Sequence, residues 1–195
     1  MADFLANLPL TRLPPKGHYG ATAGGIRIRV LDRLSLASFS VARHGMNAVV
    51  EASRTHFGVM LVDRPRVSDG DGVSFLGMGP GRWLAVGSAT GSLVSGLTQA
   101  FGERAAVCDQ SDAYTVIALD GASILACLAK GPAIDFDPTV FKPGDVATTS
   151  MGHIGLTIWT TGDANAYRIA IPCSFAPSFL RMLLASAAEF GIDFS

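Results

Sequence analysis

One order of elements occurs twice along this chain, and few folds accommodate such a duplication. Alternating runs at Ile26 to Val30 and Leu34 to Val41 predict two strands, and Met46 to Phe57 carries apolar residues at helical spacing before Gly58. Strand-like runs at Val59 to Val62, Val73 to Met78 and Trp83 to Val86 follow, and then a helix capped by Thr90 with a Leu93, Val94, Leu97, Ala100, Phe101 stripe closing at Gly102. From Ala105 the series begins again. Ala105 to Cys108 and Tyr114 to Leu119 read as strands, Ala122 to Ala129 as a helix, and Val146 to Ser150, His153 to Thr160 and Tyr167 to Ile171 as three further strands. A last helix carries Phe175, Phe179, Leu180, Leu183, Leu184 and Ala187 on one face, with Ser174 as its expected N-cap. The expectation is an α+β fold of duplicated ββα-βββ-α halves, residues 26–104 and 105–195, forming one domain behind an extended arm of residues 1–25. The second half is longer, and its surplus falls in the Pro-rich segment 134–145.

Composition limits the function. The 195 residues carry 15 Lys plus Arg against 16 Asp plus Glu, a net charge of -1 with only three lysines, so no basic stripe is available for nucleic acid. Charged residues make up 16% of the chain where soluble domains average about 25%, and mean hydropathy is +0.36. So little charge points to a surface partly covered by other protein chains. The uncharged run Trp83 to Gly102 is broken by Gly, Ser and Thr and lacks the continuity of a membrane span, and MADFLANLPLTR lacks the pattern of a signal peptide. A cytoplasmic location without membrane attachment is expected. Cys108, Cys127 and Cys173 have neither framework nor CxxC spacing and read as buried thiols.

Chemical motifs are scarce. The turn LGMGPGRW offers Gly77 and Gly79 but places Arg82 where a dinucleotide fingerprint needs its third glycine, and a strand follows where a helix is required. It reads as a hairpin. His18, His44, His56 and His153 have no metal-ligand spacing, and no serine sits in a G-x-S-x-G elbow. Two acidic clusters remain, CDQSD with Asp109, Ser111 and Asp112, and IDFDP with Asp135 and Asp137. Paired carboxylates serve acid–base chemistry or ligand contact, but Asp and Ser at such positions more often satisfy local backbone N–H groups.

Taken together, the GPGRW turn, D-x-S-D at Asp109 to Asp112, LAKG-x-x-x-D-F-D-P ending at Pro138, F-x-P-G from Phe141, Thr148-Thr149 and Ser174-Phe175-Ala176 occur in an order that resembles the gamma subunit of heterotetrameric sarcosine oxidase. The similarity spans roughly Val73 to Gly191. It implies a fold similar to the folate-binding domain of the glycine cleavage T-protein. It also implies a non-catalytic structural or assembly role in a complex that oxidatively demethylates sarcosine, a step of sarcosine catabolism passing a one-carbon unit to tetrahydrofolate. By the same resemblance, alpha, beta and delta subunits are the partners, and FAD, FMN, NAD, zinc and tetrahydrofolate are held by those subunits, with no cofactor, metal or catalytic residue in this chain. The K-G-C-Y-x-G-Q-E signature of folate-fold relatives is absent. The alternative is a folate-binding or aminomethyltransferase-like protein acting alone, in which Asp109, Ser111, Asp112 and Asp137 contact the ligand. The expected partner-facing residues are Phe4, Leu8, Leu10 and Tyr19 of the arm, Arg82 and Trp83 of the turn, and Phe141.

Overall fold

A computed structural model describes residues 11–22, 24–88, 92–162 and 165–195. Among the described residues, twelve strands and four α-helices follow one another as β1 (Gly17–Tyr19), β2 (Ile26–Leu31), β3 (Leu34–Val41), α1 (Met46–Phe57), β4 (Val67–Asp69), β5 (Val73–Gly79), β6 (Arg82–Ser88), α2 (Leu93–Phe101), β7 (Ala105–Asp109), β8 (Tyr114–Asp120), α3 (Ile124–Leu128), β9 (Val146–Met151), β10 (Ile154–Thr160), β11 (Ala166–Pro172), α4 (Ala176–Ala187) and β12 (Ile192–Phe194). They form a five-stranded sheet in the order β4-β5-β6-β3-β7 and a seven-stranded sheet in the order β1-β12-β2-β8-β11-β10-β9.

These orders explain the duplication. Each half contributes its second to fifth strands to its own sheet, while its first strand crosses over. Thus β2 pairs with β8, and β7 pairs with β3. The described residues group into two compact units, one within 32–114 with 144–147 and one within 11–31, 115–143 and 148–195.

In the five-stranded unit, α1 and α2 cover one sheet face. Helix α1 starts at Gly45 without a side-chain cap and ends at Gly58 in the left-handed conformation. Phe39, in the last part of β3 before Val41, holds the core together: its ring stacks on Trp83 at 5.3 Å and meets Phe101 at 5.0 Å and Phe75 at 5.8 Å. In the seven-stranded unit, α4 buries Phe179, Leu180, Leu183, Leu184 and Ala187, whereas Phe175, expected on the same face, lies in the preceding turn and is exposed. Phe136, Phe141 and Tyr167 form a second aromatic cluster under the 134–145 segment.

Several expectations need correction. Val59 to Val62 is not a strand: Val62 donates its N–H to Ser68 Oγ and accepts from Trp83 Nε1, so side chains take the place of a ladder. Ser174 makes no cap, because a short 3₁₀ turn at Cys173–Phe175 precedes α4. Thr90 lies outside the described residues. Within the expected arm, Gly17–Tyr19 forms a strand that pairs with β12 of its own chain.

Candidate functional site

The acidic clusters occupy turns. Asp109 ends the edge strand β7, and its Oδ1 accepts from the Ser111 N–H at 2.9 Å and the Ser111 hydroxyl at 2.7 Å. The same hydroxyl accepts from Leu36 N–H at 3.1 Å, fastening the turn to β3. These bonds stabilise the ionised form, so Asp109 is held below the usual carboxylate value, the Ser111 backbone N–H being the main cause. Asp112 is exposed. Asp137, in the other unit, accepts from the Thr139 hydroxyl at 2.6 Å and N–H at 2.8 Å, and it too is held low, chiefly by the hydroxyl. Carboxylates so engaged remain charged at neutral pH and are poor proton donors.

The predicted partner-facing residues separate into four groups. Arg82 is exposed at the hairpin, where Gly81 adopts a φ of 67° and donates its N–H to Asp63 Oδ1 at 2.8 Å. Tyr19 is half-buried, its hydroxyl donating to Pro15 O. Trp83 and Phe141 are corrections, because they are 1% and 8% exposed and are spent on the two aromatic cores. Phe4, Leu8 and Leu10 lie outside the described residues.

Among the described residues each unit carries a surface depression. A cleft of about 280 Å³ in the five-stranded unit lies between Phe57, Asp71, Gly72, Gly87 and Leu93. A second of about 480 Å³ in the seven-stranded unit surrounds Arg27 and Asp120, which form an ion pair. Among the described residues no three His, Cys, Asp or Glu side chains converge on a metal position. No helix among them is long and apolar enough to cross a membrane. The thiol expectation holds for Cys127 alone, which is buried with its pKa pushed up to about 11 by desolvation; Cys108 and Cys173 are exposed.

One arrangement escaped the sequence reading. Register places His18, Asp193, Arg27 and Asp120 directly opposite one another on β1, β12, β2 and β8, a row of alternating charge across four strands. Nothing in the local sequence signals it, since the four residues lie on segments that only the sheet brings together.

The fold and its turns define a duplicated α+β domain of the glycine cleavage T-protein type. Aminomethyltransferase T from Bartonella henselae shares it at a TM-score of 0.65 and 15% identity over 89% of this chain and 48% of that protein. Within this class the chain is a homologue of the sarcosine oxidase gamma subunit: it is 27% identical to that of Corynebacterium sp. strain P-1 over 89% of this chain and 86% of the relative. It is 28% identical to that of strain U-96 over 71% and 68%. A chain of the heterotetrameric sarcosine oxidase of Corynebacterium sp. U-96 superposes with a TM-score of 0.77 at 25% identity, covering 88% of each. No family model matches the sequence.

Proposed function

We propose that this chain is the gamma-type assembly subunit of a heterotetrameric sarcosine oxidase, contributing shape and stability to a cytoplasmic complex whose chemistry resides in its other subunits. The observation that carries this reading is the nearly full-length superposition, at TM-score 0.77, on a chain of such an oxidase. The turn-bound state of Asp109 and Asp137 favours it over independent catalysis, because their lone pairs already serve the backbone. In this reading alpha, beta and delta subunits are the partners. FAD, FMN, NAD and tetrahydrofolate belong to the large subunits, and zinc to the small one.

Co-expression with those subunits, followed by affinity purification through a tag on this chain, tests the proposal. The expected result is a stoichiometric four-subunit complex oxidising sarcosine, which loses integrity without this chain. Recovery of this chain alone overturns it. Calorimetric binding of tetrahydrofolate by the isolated chain, abolished by Asp109→Ala, would favour the aminomethyltransferase-like alternative.

A further inference from the structure

Four arginines of the five-stranded unit gather at one end of its sheet although they lie far apart in sequence. Strand β3 ends at Val41, whose N–H bonds Gly81 O at 2.9 Å, and the next residue, Ala42, bonds Arg104 O at 2.8 Å. Ser40 pairs with Arg82 and Val41 with Ala105, so Arg43, Arg82 and Arg104 lie at or just beyond three adjacent strand ends. Arg64 joins them, because the segment containing it runs beside the same hairpin: Gly77 N–H bonds Arg66 O at 3.0 Å, and Asp63 receives Gly81 N–H at 2.8 Å. All four arginines are exposed, as is His44. None of the four makes an ion pair with another described residue, whereas Arg27, Arg54 and Arg66 each have a carboxylate partner.

Asp63 adjoins Arg64 and Glu103 adjoins Arg104. One Asp63 oxygen is occupied by a backbone N–H. The end is therefore net positive on a chain whose total charge is -1, which leaves the remaining surface net negative. Unpaired guanidiniums concentrated in this way create a local field that attracts a negative surface, and their planar forks suit bidentate carboxylate contact. Nucleic acid is not the occupant that this charge balance fits, since a phosphate-backbone binder carries an extended basic surface.

We propose that Arg43, Arg64, Arg82 and Arg104 form a docking surface for an acidic face of a partner protein, and that this surface joins the chain to a large subunit of the oxidase. The inference deepens the assembly reading and rests on it. Charge pairing of this kind acts on encounter rate and salt dependence. The binding constant for the large subunits is therefore expected to weaken at least about tenfold between 50 and 300 mM NaCl.

The test measures association of the full chain with purified alpha and beta subunits across that salt range. Compared are the wild type, the triple variant Arg43→Glu/Arg82→Glu/Arg104→Glu, the corresponding Gln variant, and Arg33→Glu, which alters an exposed arginine at the opposite end of β3. Circular dichroism and thermal unfolding verify that each variant is folded. Expected are a loss of about 30-fold or more at 50 mM NaCl for the triple Glu variant, a smaller loss and a shallower salt slope for the Gln variant, and less than about a twofold change for Arg33→Glu. A folded triple Glu variant that binds within about threefold of wild type, or wild-type binding that ignores salt, overturns the docking surface while leaving the assembly reading intact. Failure of the wild-type chain to bind either subunit overturns both.

Discussion

His18 and Asp193 face each other across the β1–β12 edge with the imidazole Nδ1 2.8 Å from the carboxylate, while His18 Nε2 lies 2.6 Å from Ala21 O. Both partners are acceptors, so both ring nitrogens must carry protons, and the geometry selects the imidazolium. The Asp193 carboxylate is the largest cause of the rise of the His18 pKa above its ordinary 6.5, followed by Ala21 O. Arg27, next in the row beyond Asp193, is itself paired with Asp120.

The pH dependence of that edge follows directly. Since the folded value is the higher one, the contact is fully present below 6.5 and is lost as pH rises through the raised value. Proton NMR of the His18 ring should give a midpoint above 6.5 that falls toward it in Asp193→Asn. Amide exchange of residues 17–21, corrected for its intrinsic pH dependence, should accelerate across the same interval in wild type and not in His18→Gln. A ring titrating at or below its ordinary value rejects the assignment.

Phe39 supports a different prediction, because three aromatic partners meet its ring in a buried core. Phe39→Ala removes those contacts and leaves a cavity that strand and helix backbones cannot close. A loss of about 3–5 kcal/mol in denaturant unfolding is expected. Phe39→Leu, which retains much of the volume, should lose considerably less. Equal losses in the two variants would show that packing around the ring is not what stabilises the unit.

The long elements were legible in the sequence because their apolar spacing matches the faces they bury. The α4 positions Phe179, Leu180, Leu183, Leu184 and Ala187 are an example. The strands that were missed, Gly17–Tyr19, Val67–Asp69 and Ile192–Phe194, have three residues each, too few for periodicity, and exist because a neighbouring edge accepts them. The exchange of β2 and β7 between sheets was equally hidden, since alternation reveals a strand but not its partner. For the same reason Trp83 read as a surface residue: Arg82 and Pro80 of the turn beside it are exposed, and only the pleat turns the next side chain inward. The acidic turns were readable by residue type, and their hydrogen bonds agree with the local role that Asp and Ser usually take.

Thiol reactivity should divide the cysteines. Cys108 and Cys173 are exposed, whereas Cys127 lies buried in α3 with its pKa at about 11. A thiol reagent at pH 8 should label two sites rapidly in the native protein and the third only on unfolding, as peptide mapping would show. Rapid native labelling of Cys127 contradicts its placement.

Acid should release the Asp109 turn late. Its pKa lies below the ordinary 3.8, so the contribution is complete above that value and disappears as pH falls through the lowered one. Ser111→Ala removes the hydroxyl that bonds both Asp109 and Leu36, and it should raise the Asp109 midpoint and lower thermal stability at neutral pH. Carbon-detected NMR of the carboxylate provides the measurement. An unchanged midpoint in Ser111→Ala would remove the hydroxyl from the account.

Two glycines with similar backbone angles separate strain from collision at the sheet edge. Gly20 has a φ of 85° and a Cβ added there would lie 1.9 Å from Ala188 O, the carbonyl that accepts Ala21 N–H at 2.8 Å. Gly72 has a φ of 74°, and an added Cβ there would meet nothing within 4 Å. Both alanine variants incur the left-handed backbone cost of roughly 1–2 kcal/mol, but only Gly20→Ala must also push residues 17–21 away from the 188–193 segment. Tryptic cleavage after Lys16 should therefore quicken markedly in Gly20→Ala and stay close to wild type in Gly72→Ala, while the aromatic core around Phe39 keeps its near-ultraviolet circular dichroism in both. Equal protection of the Lys16 bond in the two variants would mean that β1 is held by contacts other than its close approach to Ala188.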